Sequence, residues 1–229
     1  FIRLVVISEA LKIDYLCKFP TLDESKVVVA HDAANVSYED INEPGYCSSI
    51  SKTGDNLDVG YVGSLFPGKG VEGVIALANE RPSHRYHIVG GTKQDVARFK
   101  KITPSHVKFH GRVHPSNVSN ILREYDVLVL PSKRKVESAG GEDIGLYTSP
   151  LKMFEYMAAG RPIIASSLPV LEEVLKHNWS ALLAQPDNSK EWAQALDRLV
   201  GDKILRETLA RNALNVLVLK HTWIKRAES

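Results

Sequence analysis

The sequence predicts an α/β protein built on a doubly wound, Rossmann-like parallel sheet. Short runs rich in Val, Ile and Leu alternate with stretches of helical period along the chain. The runs are apolar throughout rather than at every second residue, as strands covered on both faces must be. Several end in glycine or proline just ahead of a helical stretch. In an open sheet of this kind ligands collect at the carboxyl ends of the strands, so these junctions are where function is expected.

The candidate strands are Leu4 to Ser8, Val27 to His31, Val59 to Gly63, Tyr86 to Gly90, Val107 to Gly111, Val127 to Pro131, Pro162 to Ala165 and Ala181 to Ala184. Helical patterns fall at 9–17, 71–80, 92–102, 115–124, 150–159, 169–176 and 188–199, with a long helical tail from about 202. The best-marked helix lies in LYTSPLKMFEYMAAG, residues 146–160: Ser149 suits the N-cap, Pro150 the first helical position and Gly160 the stop. Its Leu151, Met153, Phe154, Met157 and Ala158 spread around the circumference, which predicts a largely buried helix that nevertheless carries Glu155. Asn42 to Asn56, rich in Gly, Ser, Asn and Pro, reads as an exposed loop. Phe1 to about Asp23 reads as one strand and one helix of a neighbouring unit. A seam near Thr21 to Lys26 then divides the chain into residues 1–25 and a Rossmann-like layer of residues 26–229.

The charge balance, 29 basic against 27 acidic residues, gives a formal net charge of +2, so neither nucleic acid nor an anionic membrane is called for. An anion site, if present, is local. Cys17 and Cys47 lack metal-ligand spacing and make no disulfide framework, which fits a reducing cytosol. No apolar run reaches the length of a bilayer, and Phe1 to Ser8 is too short and wrongly flanked for a secretory signal. The chain begins without Met inside an apolar run and stops without a terminating signal, so it is expected to be part of something longer.

Three junctions carry candidate chemistry. GYVGSLFPGKG, residues 60–70, is a strand running into a Gly/Pro turn and a helix. Gly63 permits close backbone approach and Lys69 supplies a mobile cation, yet the frame is neither a Walker loop nor Gly-x-Gly-x-x-Gly. A plain turn with a solvated lysine fits equally. At the start of the second junction, Ser149, Pro150 and Leu151 stand where backbone amides lack intrahelical partners. Pro150 cannot donate, so Leu151 and Lys152 are the amides available to a phosphate, and Glu155 lies one turn up the same face, placed to take both hydroxyls of a ribose. An ordinary Glu155–Lys152 ion pair, worth a few tenths of a kcal/mol, is the alternative. In the third, FHGRV at 109–113, backbone groups of His110 and Gly111 would read a flat base edge while Arg112 stacks on it or faces water. His31-Asp32 either faces a cleft or is a structural pair, and ESAGGED, residues 137–143, is either a closing loop or a passive excursion.

Together these stretches resemble the nucleotide-binding domain of the retaining GT-B glycosyltransferases of family four, the glycosyl transferases group 1. VGYVGSLFPGKG, residues 59–70, resembles that family's strand and turn with its diphosphate-binding lysine. VKFHG at 107–111 resembles the strand that contacts the base, and YDVLVLPS at 125–132 the strand leading to the donor site. SPLKMFEYMAAGRPIIAS, residues 149–166, is similar to the donor helix and following strand. Phe1 to Leu16 resembles the last strand and helix of the N-terminal domain, and Trp223 to Ala227 the start of the closing helix.

The resemblance implies that Lys69 and Glu155 are the catalytic residues, Glu155 being the second acid of the family's Glu, seven residues, Glu motif. It implies a donor site made of Gly63, Ser64, Lys69, His110, Gly111, Arg112, Ser149, Pro150, Leu151, Lys152 and Glu155. It further implies retaining transfer from a nucleotide-diphosphate sugar to an acceptor hydroxyl, in glycan or glycolipid synthesis, with no metal or other cofactor. The acceptor, a glycan or a lipid-linked one, would be held by the N-terminal domain, the protein would be cytoplasmic, and lipid acceptors would bring the full-length enzyme to the inner membrane as a peripheral protein. The chain departs from the pattern at Tyr147, where the first acid would stand, with Glu142 or Asp143 as substitutes, and at Ser64, where an arginine usually joins the lysine. Because the acceptor site and much of the catalytic cleft would lie on the N-terminal domain, this chain alone is expected to bind donor weakly and transfer nothing. Two other readings keep the same sheet: a GT-B nucleotide-sugar epimerase, and a non-catalytic nucleotide-binding scaffold.

Overall fold

The computed structural model describes residues 2–36, 41–42, 45–47, 56–136, 143, 145 and 151–228. Among the described residues the strands form two parallel sheets. The smaller pairs β1 (Leu4–Val6) with β2 (Val27–Val29), joined by α1 (Glu9–Lys18), whose first turn is capped by the Ser8 hydroxyl accepting from the Leu11 amide at 3.1 Å. The larger holds β3 (Asp58–Val62), β4 (Arg85–Val89), β5 (Val107–Gly111), β6 (Val127–Leu130), β7 (Ile163–Ser166) and β8 (Leu182–Ala184). Its spatial order is β5-β4-β3-β6-β7-β8, parallel throughout. The strand at 27–29 thus pairs with β1 rather than with the layer that follows the seam read at 21–26.

Connecting helices are α2 (Val71–Glu80), α3 (Lys93–Lys100), α4 (Val118–Arg123), α5 (Leu151–Ala158), α6 (Pro169–Glu172) and α7 (Ser189–Gly201), followed by α8 (Lys203–Lys220) and α9 (Trp223–Glu228). Two differ from the sequence reading. The stretch expected at 115–124 opens as a 3-10 turn over Pro115–Asn117, and the stretch expected at 169–176 is helical only to Glu172. Among the described residues no helix is long and apolar enough to cross a membrane.

The apolar runs are explained by a core on each face of the large sheet. Val127 and Val129 join Val59, Tyr61, Tyr86, Ile88, Trp192 and Leu196 on one side. Leu128 and Leu130 join Met153, Phe154, Tyr156, Met157 and Leu217 on the other. Successive strand side chains point to opposite faces, so a strand covered twice must be apolar at every position. Helix α5 is the main lid of the second core. Its Met153, Phe154, Tyr156 and Met157 are fully buried, whereas Leu151, also counted among its buried positions, is 46% exposed at the helix start.

The strand order reverses between β3 and β6, which pair through Val59–Val127 and Gly60–Leu128. Chain segments leave this point in opposite directions, so a crevice opens beyond the carboxyl ends of these two strands. The small sheet is tied on nearby. Glu173 accepts from the amides of Glu9 (2.9 Å) and Ala10 (3.1 Å) and bonds His31 Nε2 at 2.8 Å, while Arg226 donates to Asp32 at 2.8 Å. The His31-Asp32 pair is therefore occupied in holding these parts together.

Candidate functional site

The turn after β3 is built to lie close against the loop that follows β6. Gly68 and Gly70 take φ of +84° and +88°, a left-handed backbone that suits glycine. A Cβ on Gly70 would stand 1.6 Å from the Pro131 carbonyl oxygen, and one on Gly68 2.8 Å from that of Lys135. Lys69, between them, is held at the crevice, and its half-buried side chain lines a cavity with Ser132, Lys133 and Lys152.

Helix α5 brings a second cation to the same place. The Lys152 ammonium donates to the Tyr61 hydroxyl at 3.3 Å and sits 4.5 Å from the centre of its ring. The same hydroxyl donates to the Ser64 carbonyl at 2.7 Å, so one tyrosine fastens the turn and steers the lysine. Tyr156 holds the strand end from below, its hydroxyl accepting from the Val62 amide at 2.8 Å. Burial first, and the neighbouring Lys69 second, push the Lys152 ammonium down to about 7, against the pull of Glu155. Burial likewise raises Glu155, with Lys152 opposing. Lys152 thus feels Lys69 on one side and Glu155 on the other, which links the turn and the helix in one electrostatic unit. The sequence points to the Lys152 amide; the structure adds its side chain.

The strand ends form a glycine floor beside this unit. The Gly63 amide donates to Val89 O at 2.9 Å and the Gly90 amide to Gly111 O at 2.7 Å. Gly90, at φ +124°, packs so tightly that a Cβ would fall 1.9 Å from Gly63 O. Above the floor a cleft of about 220 Å³ is lined by Gly63, Ser64, Gly91, Arg112 and Val118, with Ser64 and Arg112 exposed. Next to it, sharing Val118, a cleft of about 310 Å³ is lined by Leu151, Glu155, Ala158, Pro115 and Trp223. Leu151, Glu155 and Ala158 are the i, i+4 and i+7 positions of one helix face.

His110 is not part of this assembly by its side chain. It bonds His87 Nδ1 at 3.0 Å and stacks on that ring, and His87 Nε2 reaches Asp58 at 3.1 Å. Burial, then His87, lower His110. These groups line a larger cavity of about 580 Å³ on the sheet face with Arg85, Lys108 and Tyr125. The strand end at Gly111 adjoins the glycine floor, and Arg112 lines the cleft above it. Ser149, Pro150, Tyr147, Glu142 and most of the 137–143 loop lie outside the described residues. Asp143 is described: its carboxylate accepts from the amides of Gly145 (2.9 Å) and Val136 (3.1 Å), which hold it below the usual range. Sequence reasoning missed Tyr61 and Tyr156; the signal was a tyrosine inside an otherwise aliphatic strand and another inside a core-facing helix.

A family model described as glycosyl transferases group 1 matches residues 56–202. An uncharacterized glycosyltransferase of Methanocaldococcus jannaschii is 27% identical over 96% of this chain and 56% of its own length. Among solved structures, Anabaena HepE in complex with UDP superposes with a TM-score of 0.76 at 18% identity, over 99% of this chain and 62% of that one. The same protein in complex with UDP-glucose gives a TM-score of 0.75 at 19% identity, again over 99% and 62%. The chain thus spans little more than half the length of these relatives, and its fold is the Rossmann-like α/β layer of GT-B glycosyltransferases.

Proposed function

The chain belongs to the glycosyl transferases group 1, and on that premise we propose that it is the donor-binding part of a retaining glycosyltransferase. The enzyme transfers a sugar from a nucleoside-diphosphate sugar to an acceptor hydroxyl in glycan or glycolipid synthesis. The observation that carries the reading is the junction of the Lys69 turn with the Glu155 helix, through Lys152, at the point where strand order reverses. The UDP and UDP-glucose complexes of the structural relative lend support to the ligand class.

In this reading the base and ribose lie over the glycine floor and Val118, Glu155 accepts from the ribose hydroxyls, and the diphosphate meets Lys69 and the amides at the start of α5. As the bond between the sugar C1 and the phosphate oxygen breaks, negative charge grows on the leaving diphosphate. Cations fixed beforehand stabilise that charge better than the ground state, which lowers the barrier. The acceptor oxygen bonds C1 on the face the diphosphate leaves, and its proton passes to a phosphate oxygen, so configuration is retained. Positive charge from lysines makes a metal unnecessary to this scheme. The protein acts in the cytoplasm, with its acceptor bound by a further domain.

Calorimetric titration with UDP and with GDP tests the reading. Binding of one of them, weakened in Lys69→Ala and Glu155→Ala, is expected. The absence of heat with both would leave a scaffold and overturn it. Incubation with a nucleotide sugar and no acceptor would expose an epimerase by its product.

A further inference from the structure

We infer that the Lys152 side chain is the second cation of the diphosphate subsite, delivered from helix α5 across Gly63 to lie beside Lys69. This rests on the nucleotide-sugar reading above. Gly63 is where the lysine meets the strand end. A Cβ there would stand 3.4 Å from Lys152 Cδ and 3.5 Å from its Nζ, ordinary contact distances, so the lysine side chain lies packed along Gly63. Gly63 also lines the 220 Å³ cleft, so the residue that packs on the Lys152 side chain borders that space too. The cavity that Lys69 and Lys152 share on the other side is about 30 Å³, room for a water and not for a diphosphate.

Among the described residues Glu155 is the acid that acts on Lys152, and it stands beyond ion-pair distance. The neighbours of Lys152 are Tyr61 on β3, Lys69 on the turn, Lys133 on the loop after β6, and Glu155 on its own helix; α6 presents apolar Val170 and Leu171. Lys133 is matched by Glu72 at 3.7 Å. Among the described residues neither Lys69 nor Lys152 has a carboxylate at ion-pair distance, and Ser64, next along the turn, is uncharged. Two like charges held together in a half-buried place, steered there by a tyrosine hydroxyl, form a site completed by an anion of double charge. The depressed ammonium adds a consequence: an arriving diphosphate draws a proton onto Lys152, so binding and proton uptake are linked.

UDP-glucose and GDP-mannose are suitable probes because their diphosphate diesters keep both charges from pH 6 to 9. With this chain, affinity for whichever binds is expected to hold below pH 7 and to fall above it by up to about tenfold per pH unit. Lys152→Met is expected to weaken binding by about tenfold at pH 6 and to flatten the profile. Lys152→Arg, always charged, is expected to restore binding at pH 8 to 9 without the slope. Lys69→Ala removes a like charge and is expected to move the fall to higher pH. Binding in wild type with a flat profile, or an unchanged profile in Lys152→Met, would overturn the inference and leave the nucleotide-sugar reading standing. Failure of wild type to bind either probe would overturn both. The wild-type profile needs no variant, so a misfolded mutant does not remove the test.

Discussion

Two charged regions of one sheet are assembled on opposite principles. On the face of β3, β4 and β5, Asp58 is met by Arg85 at 2.5 and 2.9 Å and by His87 at 3.1 Å, and His87 by His110 at 3.0 Å. Beyond the ends of β3 and β6, Lys69 presses on Lys152, and burial raises Glu155 nearby. The first region borders the larger cavity, about 580 Å³, yet its charges are already answered from within the protein. The second borders smaller clefts and, among the described residues, brings its two lysines no carboxylate at ion-pair distance. A buried charge without its partner costs stability, and a fold retains that cost where a ligand supplies the partner. Incompleteness therefore marks the site better than volume does.

That contrast is broken or sharpened by substitution. Asp58→Ala should have the largest effect, a loss of about 3 kcal/mol in denaturant-measured stability because Arg85 and His87 lose their acceptor, with nucleotide affinity of the folded protein unchanged. Lys152→Met should do the reverse and raise the stability of the unliganded protein, by about 2 kcal/mol, while weakening donor binding. The sign follows from linkage. Folding lowers the lysine from 10.5 to about 7, so between these values the unfolded chain binds more protons and wild-type stability rises with pH. The difference between wild type and Lys152→Met should therefore shrink as pH rises from 7 to 10, and a constant difference would refute the account.

Smaller effects follow. Lys69→Ala should lose about 1.5 kcal/mol of UDP affinity by calorimetry, with the melting temperature of the unliganded protein slightly raised because a like charge beside Lys152 is gone. Glu155→Gln should abolish a preference of about 1 kcal/mol for UDP over its 2′,3′-dideoxy analogue. Gly63→Ala should be least, about 0.5 kcal/mol of donor affinity, since its methyl meets Tyr61 Oη at 3.3 Å and the end of a flexible lysine at 3.4 Å.

Much of the fold is legible in the sequence. The helix read at 150–159 is found at Leu151–Ala158, and the strand read at 59–63 at Asp58–Val62, because capping residues and continuous apolar runs report local preference and two-sided burial. The site is legible less evenly. The Gly/Pro turn and the acid on a buried helix both point to it, since each violates what a purely structural element would carry. The partner of His110 is not legible, nor the pairing of Val27–Val29 with β1, because both are set by residues distant in sequence.

The sequence by itself determined which segments are strands and helices, that the sheet is parallel and covered on both faces, and which turn and helix carry Lys69 and Glu155. Those follow from periodicity, capping and composition, which act within a few residues. Tertiary structure alone decided that strand order reverses between β3 and β6, that Tyr61 turns the Lys152 ammonium across Gly63 toward Lys69, and that His110 faces His87 instead. Charge interactions depend on distance and burial through space, and neither is fixed until the chain has packed.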